Sequence, residues 1–515
     1  MIRERRLFYV LVVLLCLPVW LVTWFPSRDG PSHVYNARVL IDMLLHGDST
    51  YWKSYTLTPG LTTNLAADLL LGLLSPAFPP PVPEKIIVTL CLVLVASGAR
   101  YAAGARNGRG GALAVLALPA AAGLFLHLGN YNFLLGAAFF CFSCGLWFRC
   151  WGLLTGREMA RLAALLAAAF LCSATAWLVA ALVIGVPALW TAARRGSLLR
   201  YLAPTLLAAL PGCALFLAYA MSVRPAAPVG SFFPIRSAAD LLTENPVVAF
   251  TRGEVWIFAV LAALAALLPL MVLRAKAAAR HWSAYDWLAL LAALLFVLFL
   301  TAPPARLGGS EVRPRLWLFS GLTLLFWLGG HRFSRRDAAL LSAAGAILSA
   351  GLAWSHWQSY RALEPFWKEV MAVRAVIRPG RSVLSLRYSQ AAPPPALRID
   401  SFRNVGAYLS PVPGGLWMGN QEADSGLFPL SSLPSRHAPA GLDSDPPCAD
   451  LSGRPADYVV LTGYPAPETA PGCAAATYRQ LAGSYDFLYQ SSSRFVRVYR
   501  LRQSTSPAPA EGRHS

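Results

Sequence analysis

The chain has 515 residues, is 56 % hydrophobic and only 13 % charged, and has a mean hydropathy of +0.50. Apolar content on that scale, gathered into repeated runs of about 18 or more residues, excludes an ordinary soluble protein and calls for a bilayer. The net charge of +19 sits mostly in short loops between those runs, where it orients a membrane protein; no basic patch interleaved with aromatics points to nucleic acid.

A basic N-terminus, 1–6, leads into an apolar run at 7–25. No A-x-A-like cleavage site follows it, so the run reads as a retained first span rather than a signal peptide. The loop after it, 26–63, opens with Pro26-Ser27-Arg28-Asp29-Gly30-Pro31-Ser32-His33-Val34-Tyr35-Asn36. Gly30-Pro31 predicts a turn into a helix, because proline presets the first helical φ and needs no partner for its missing N–H. A helix to about His46 puts Asp29 at its positive end and His33 and Asn36 on one face. Val34, Ala37, Ile41 and Leu44 recur at helical spacing opposite the polar row Arg38, Asp42 and His46, which is the pattern of an interfacial helix.

The run 64–78 is short, carries Asp68 and ends in a proline cluster at 79–83. Longer runs follow at 84–104, 110–127, 131–149, 160–174, 175–191, 200–221, 255–274, 284–302, 314–330 and 336–355. If 64–78 does not cross and 160–191 is a hairpin of two spans, six groups of net charge +2 or +3 fall on one side of the membrane. They are 1–6, 100–109, 149–161, 194–200, 274–280 and 332–337. The opposite loops, 26–63 and 223–254, each carry three basic and three acidic residues. The positive-inside rule then predicts eleven spans, a cytoplasmic N-terminus and an outer C-terminus, in a plasma (inner) membrane.

Beyond Trp354 the composition changes. Phe366, Val370, Val373 and Ile377 predict an amphipathic helix ended by Pro379-Gly380. Strand-like runs follow at 382–386, 458–462, 485–489 and 495–501, around a Gly/Pro-rich, loop-like region at 410–455. The tail 504–515 is expected to be disordered. The expected fold class is thus an α-helical polytopic membrane protein, with about eleven transmembrane helices over 1–360. A small extracytoplasmic α/β domain follows over 361–503. Seven of the nine cysteines lie in or beside apolar runs as ordinary small hydrophobes. Cys448 and Cys473 are the pair in the C-terminal part, free to close a disulfide if that part faces an oxidising compartment.

Three outward turns carry candidate chemistry. Asp29 is either a helix N-cap or a carboxylate that deprotonates or orients a hydroxyl or binds a metal, with His33 beside it and Asn36 as a substrate contact. Glu311, Arg313 and Arg315 follow Gly308-Gly309 at the head of a late span. Their arginines either neutralise a lipid phosphate or anchor the helix end by snorkelling, and Glu311 is placed to pair with either of them. Asn130 and Asn132 either hydrogen-bond a polar substrate or cap helix ends. In loop 223–254, Asp240, Glu244, Arg252 and Glu254 are either a lid or acceptor surface or, as the better reading, a solvated loop. No P-loop, GxSxG, HExxH or dinucleotide fingerprint stands in a supporting context.

With Arg28-Asp29-Gly30-Pro31-Ser32-His33 just past the first span, outer interfacial helices, many further spans, a Gly-Gly…Arg loop and an outer C-terminal domain, the chain resembles the GT-C class of membrane glycosyltransferases. The resemblance implies transfer of a sugar from a polyprenyl-phosphate donor to an extracytoplasmic glycan, lipid or protein. In that class the first outer-loop acid acts on the acceptor or a metal, which maps to Asp29, so a divalent cation is the only cofactor implied. Many members have two adjacent acids there; this chain has Arg28-Asp29. The competing classes are a transporter or flippase of lipid-linked intermediates and a non-catalytic envelope-assembly protein on the same scaffold. Transporters place polar residues and broken helices near the midplane; here the singled-out residues cluster toward one outer surface.

Overall fold

The computed structural model describes residues 2–107, 110–151, 153–222, 241, 244–280, 282–302, 311–388, 398–442 and 447–502. Gly308-Gly309, Asp240 and the tail 504–515 lie outside them. Among the described residues, twelve helices of nine or more residues build the membrane part and its edge: α1 (Ile2–Leu21), α2 (Gly30–Leu45), α3 (Ala66–Leu74), α4 (Pro81–Gly104), α5 (Tyr131–Cys150), α6 (Gly156–Cys172), α7 (Ala174–Arg195), α8 (Ala203–Ser222), α9 (Arg252–Ala279), α10 (Trp287–Thr301), α11 (Val312–Gly329) and α12 (Arg335–Ala372). Among the described residues seven are long and apolar enough to cross a bilayer: α4, α5, α7, α8, α9, α10 with the turn before it, and α12. The chain is a helical membrane protein with a small sheet domain at its C-terminus.

Ten of the eleven expected runs are helices, and the exception matters most. The run 110–127 is a 3₁₀ stretch, Gly110–Ala117, followed by the helical turns Leu118–Ala121 and Leu124–Leu128. Gly123 separates the two turns, and a Cβ there would lie 2.4 Å from the Pro246 carbonyl oxygen. The Leu124 N–H donates to that oxygen at 3.0 Å. The break is therefore filled by the backbone of the 245–250 turn, which is how irregular backbone is tolerated at membrane depth. Hydropathy alone scores 110–127 as a span because nothing in composition records that insertion.

Three further boundaries differ from simple expectation or sharpen it. α3 has nine residues, about 13 Å of helix, too short to cross. Extended backbone at Ser173 (φ −162°) divides α6 from α7, and its hydroxyl caps α7. The run ending at 355 and the expected amphipathic helix beyond Trp354 are one continuous helix. α12 runs 38 residues, about 57 Å, far longer than a hydrocarbon core of about 30 Å. Its far end, Trp367 and Val370, is buried in the same apolar cluster as Phe402, Val405, Phe495 and Val496.

The C-terminal sheet has five strands in the order β3 (Leu416–Trp417), β2 (Ser382–Arg387), β5 (Tyr458–Thr462), β7 (Val496–Leu501) and β6 (Tyr485–Gln490). β2 runs parallel to β3 and β5, and β7 runs antiparallel to β5 and β6. α13 (Gly472–Ser484) contributes Ala474 and Leu481 to a second core with Leu384, Leu386, Val459 and Leu461. β5 is buried on both faces, Val459 and Leu461 toward this core and Tyr458 and Val460 toward the first, so it reads in the sequence as a continuous apolar run. Cys448 and Cys473 are bonded, with Cα atoms 5.0 Å apart.

Between the two parts sits the segment that follows α1. β1 (Tyr55–Leu57) pairs antiparallel with β4 (Leu430–Ser432), Thr56 opposite Ser431. Tyr35 and Tyr51 both donate to the Gly415 carbonyl at 3.1 Å. Tyr35, Val39 and Met43 of α2 pack with Tyr55, Ala407, Trp417 and Leu430. α2 is therefore buried along its first turns against the C-terminal domain as well as the helices beside it, and its end, Leu44 and Leu45, is open.

Candidate active site

The break in 110–128 positions Asp29. The Arg28 N–H donates to the His127 carbonyl at 2.8 Å and the Asp29 N–H to the Leu128 carbonyl at 3.1 Å, a short backbone pairing. Gly129, at φ +85°, allows it: a Cβ there would lie 2.7 Å from the Gly30 nitrogen. From this rail α2 begins with Gly30-Pro31 at its first turn.

Asp29 is the N-cap of α2, yet its side chain makes no capping hydrogen bond. The carboxylate is turned outward instead. Arg28 donates to it from Nε (3.1 Å to both oxygens) and from Nη2 (2.8 Å to Oδ2), and Asn404 Nδ2 donates to Oδ1 at 2.9 Å. Arg28 also reaches Glu311 Oε1 at 3.1 Å, and Asn130 Nδ2 donates to Glu311 Oε2 at 2.6 Å. Glu311 pairs with Arg28, therefore, and not with Arg313 or Arg315. It is held at φ +60° and ψ +37° just before α11, the left-handed region that non-glycine residues enter rarely and mostly at functional sites. Burial pulls the Arg28 pKa down, but Asp29 and Glu311 outweigh it and raise the net value, so the guanidinium stays charged.

These groups face a cavity of about 470 Å³ lined also by Ser32, His33, Asn132, Phe133 and Arg315. The C-terminal domain closes it with Arg403, Asn404, Trp417, Glu422 and Phe428. The structure brings Asp29, His33, Asn130, Asn132, Glu311 and Arg315 to one place. Arg313 is not there: its Nε donates to the Ala302 carbonyl at 2.6 Å, and its guanidinium lies 3.9 Å from Glu244. Arg315, one residue pair further along the helix, sits over the Phe133 ring at 5.0 Å. Arg313 and Arg315 are 200° apart around an α-helix at 100° per residue, so they cannot share a face.

His33 Nδ1 lies 3.2 Å from Asp68 Oδ1 and 3.6 Å from Glu422 Oε2. Burial lowers the His33 pKa, but the carboxylates of Glu422 and Asp68 more than reverse that, and the ring is pushed toward the cation. Burial raises the Glu422 pKa, His33 opposes the rise, and Asp29 and Asp68 add to it. Asn36 stands behind the cavity wall, where its Nδ2 donates to Glu422 Oε2 at 3.1 Å and its Oδ1 accepts from Asn420 at 2.7 Å. Asn132 accepts from the Ala67 N–H at 2.7 Å, so it caps α3 rather than its own helix, and its Nδ2 has no partner among the described residues.

Glu84 is fully buried beneath the site and accepts hydrogen bonds from Ser27, Tyr408 and, at 2.7 Å, Tyr131. Of the loop acids, Glu254 is buried and accepts from the Ala249 and Phe250 N–H groups at 2.6 and 2.9 Å. It closes the turn that fills the break at Gly123 and is not a lid. Glu84, Asp68, Asn404 and Glu422 escape a reading of the sequence alone. Only an acid at the start of an apolar run, as at Glu84 and Asp68, is a usable signal. Neither Asn404 nor Glu422 stands out in a loop-like stretch.

A divalent cation does not fit the residues at Asp29. Arg28 covers both carboxylate oxygens where a metal would bind, and among the described residues no group of three His, Cys, Asp or Glu is arranged as a ligand set. What the cavity does offer is a mixed lining: fixed carboxylates, guanidinium groups, side-chain amides and the aromatic faces of Phe133, Trp417 and Phe428. That is the chemistry of a site for a polyhydroxylated, anionic substrate.

No protein-family model and no curated protein matches the chain by sequence. Solved structures do match by fold. The chain is similar to ArnT from Cupriavidus metallidurans in the apo state, with a TM-score of 0.56 and 13 % identity over 96 % of both chains. It is similar to the same protein bound to undecaprenyl phosphate, with a TM-score of 0.55 and 13 % identity over 97 % of this chain and 98 % of that one. It also matches a mutant of the arabinofuranosyltransferase AftD from Mycobacteria, with a TM-score of 0.50 and 14 % identity, covering 96 % of this chain and 41 % of that one. The chain therefore has, over nearly all of its length, the GT-C fold of ArnT.

Proposed function

We propose that this protein is an integral-membrane glycosyltransferase that moves a sugar from a polyprenyl-phosphate donor to an extracytoplasmic acceptor. The observation that carries the reading is the convergence of Arg28-Asp29, Glu311 and Arg315 on one cavity beside the membrane helices, under a C-terminal domain, in a chain with this fold. A lipid-linked donor needs a site reached from both lipid and water. Asp29, clamped by Arg28 and Asn404, orients the acceptor, and His33 supports the wall behind it. Arg315 neutralises the departing lipid phosphate, with Arg28 beside it. ArnT with bound undecaprenyl phosphate supports the donor class. Mass spectrometry of extracted lipids and envelope glycans from cells with and without the protein is the direct test. Identical profiles would remove the reading.

Arg315→Ala is expected to weaken binding of undecaprenyl phosphate to the purified protein by about tenfold or more, since a charge-assisted hydrogen bond is worth about 1.5–3 kcal/mol. Arg313→Ala is expected to leave that binding within about twofold. Native mass spectrometry resolves the two, and equal losses would cancel the role given to Arg315.

In this reading the N-terminus is cytoplasmic and the C-terminal domain lies outside, which the loop charges and the Cys448–Cys473 pair support. Peptide mapping of protein alkylated in intact cells is expected to recover Cys448 and Cys473 as a linked pair. Two free thiols would put the domain on the reducing side and reverse the topology.

A further inference from the structure

We propose that Glu422, carried by the C-terminal domain, takes the proton from the acceptor hydroxyl, so that this domain completes the active site. The inference rests on the transferase reading and deepens it.

The cavity-lining acids are not equivalent. Asp29 has both oxygens on Arg28 and one also on Asn404; Glu311 has one oxygen on Arg28 and the other on Asn130. Both are spent on fixed donors. Glu422 lines the same cavity; Asn36 and His33 approach its Oε2, and the Ser32 hydroxyl also faces the carboxylate. The groups facing it are His33, Asn36 and Asp29 from the start of α2 and Asp68 from α3. Among the described residues four donors of cavity-lining side chains have no hydrogen-bond partner: Ser32 Oγ, Asn132 Nδ2, Arg315 Nε and Trp417 Nε1. Buried amide and indole N–H groups without partners are costly, and a ligand oxygen removes that cost. The three neutral donors, a carboxylate and the rings of Trp417 and Phe428 fit an uncharged sugar or polyol hydroxyl as acceptor, and the Arg315 guanidinium is left for the lipid phosphate.

The step balances without a co-reactant. The acceptor oxygen attacks the anomeric carbon and the new glycosidic bond forms. The bond from that carbon to the phosphate oxygen breaks, its electron pair leaves with the lipid phosphate, and the acceptor proton passes to the Glu422 carboxylate. Burial lifts Glu422 above the ordinary carboxylate range, which suits a base working near neutral pH. Asp29, held by Arg28, keeps the orienting role, so the second acid absent beside it in sequence is supplied from more than 390 residues away.

The test is complementation of cells lacking the protein with full-length Glu422→Gln and Glu422→Asp, read by mass spectrometry of envelope glycans. It is paired with infrared titration of the carboxyl band of purified protein in lipid nanodiscs. Glu422→Gln is expected to lower product by about 100-fold or more, with partial recovery in Glu422→Asp. The infrared difference between wild type and Glu422→Gln is expected to show a carboxyl titrating well above about pH 4.3. Full product from Glu422→Gln overturns the assignment and leaves the transferase reading standing. Loss of product with no displaced carboxyl in the difference spectrum also overturns it, as a structural role. A wild-type protein that changes no glycan overturns the transferase reading itself.

Discussion

Asp29→Asn is expected to reduce sugar transfer by about 100-fold or more while the protein still inserts and folds. Asparagine preserves the shape and one acceptor oxygen for Asn404 and Arg28, and Arg28 retains Glu311, so no buried charge is stranded. The pair is one-fifth exposed on each side, and its loss should cost about 1 kcal/mol or less of stability. What disappears is the negative charge facing the cavity, and groups aimed at reacting atoms are worth about 10²–10³ in rate. The check is envelope-glycan mass spectrometry on cells carrying the variant, beside a melting curve of the purified protein. Wild-type product levels would end the catalytic assignment. Lost product with a large drop in melting temperature would make Asp29 a structural cap, a role its unused side chain already argues against.

How much of this was legible beforehand depends on what each residue's role requires. The helix at 30–45 and its Asp29 start follow from local chemistry, a Gly-Pro turn and a helical apolar stripe, and local chemistry is what a sequence records. The same holds for α12's apolar half and for the strands at 458–462 and 496–501. The site's walls follow from long-range packing. Nothing near Asn404 or Glu422 marks them, because their partners, Asp29, Asn36 and His33, are more than 350 residues away. Arg313 and Arg315 were equivalent as charges at a helix head. Only the direction of the helix face separates them, one toward Ala302 and Glu244 and the other toward the cavity. The break at Gly123 was invisible for a similar reason: its cause is the carbonyl of Pro246.

That break also bears on the transporter alternative. A broken span with buried histidines is a feature of transport pathways, and here His127 contacts Tyr360 at 2.6 Å and packs against His356. Yet the gap is filled by the 245–250 backbone, and the carbonyls of His127 and Leu128 hold the segment that carries Asp29. The irregular segment serves to place a carboxylate at the cavity wall. This arrangement fits an enzyme with a fixed site better than one whose two halves must rock around it.

Glu84→Ala is expected to lower stability by several kcal/mol and to dismantle the site with it. The carboxylate is fully buried in the first turn of α4 and is the shared acceptor for Ser27, Tyr131 and Tyr408. Ser27 lies just before Arg28-Asp29, Tyr131 just after Asn130, and Tyr408 belongs to the C-terminal domain. One side chain therefore ties three of the cavity's walls. The contact is close enough that a Cβ on Gly30 would meet Glu84 Oε1 and the Ser27 hydroxyl, so α2 rests directly on it. Removing the acceptor strands three buried hydroxyls at about 1–3 kcal/mol each, which is large against a total of about 5–15 kcal/mol. Glu84→Gln keeps an acceptor oxygen and much of the volume, and should fall between Glu84→Ala and wild type. Thermal melting in detergent and limited proteolysis of the C-terminal domain give the readout. A Glu84→Ala protein that melts with wild type and resists protease equally would show that the three walls are held by other contacts.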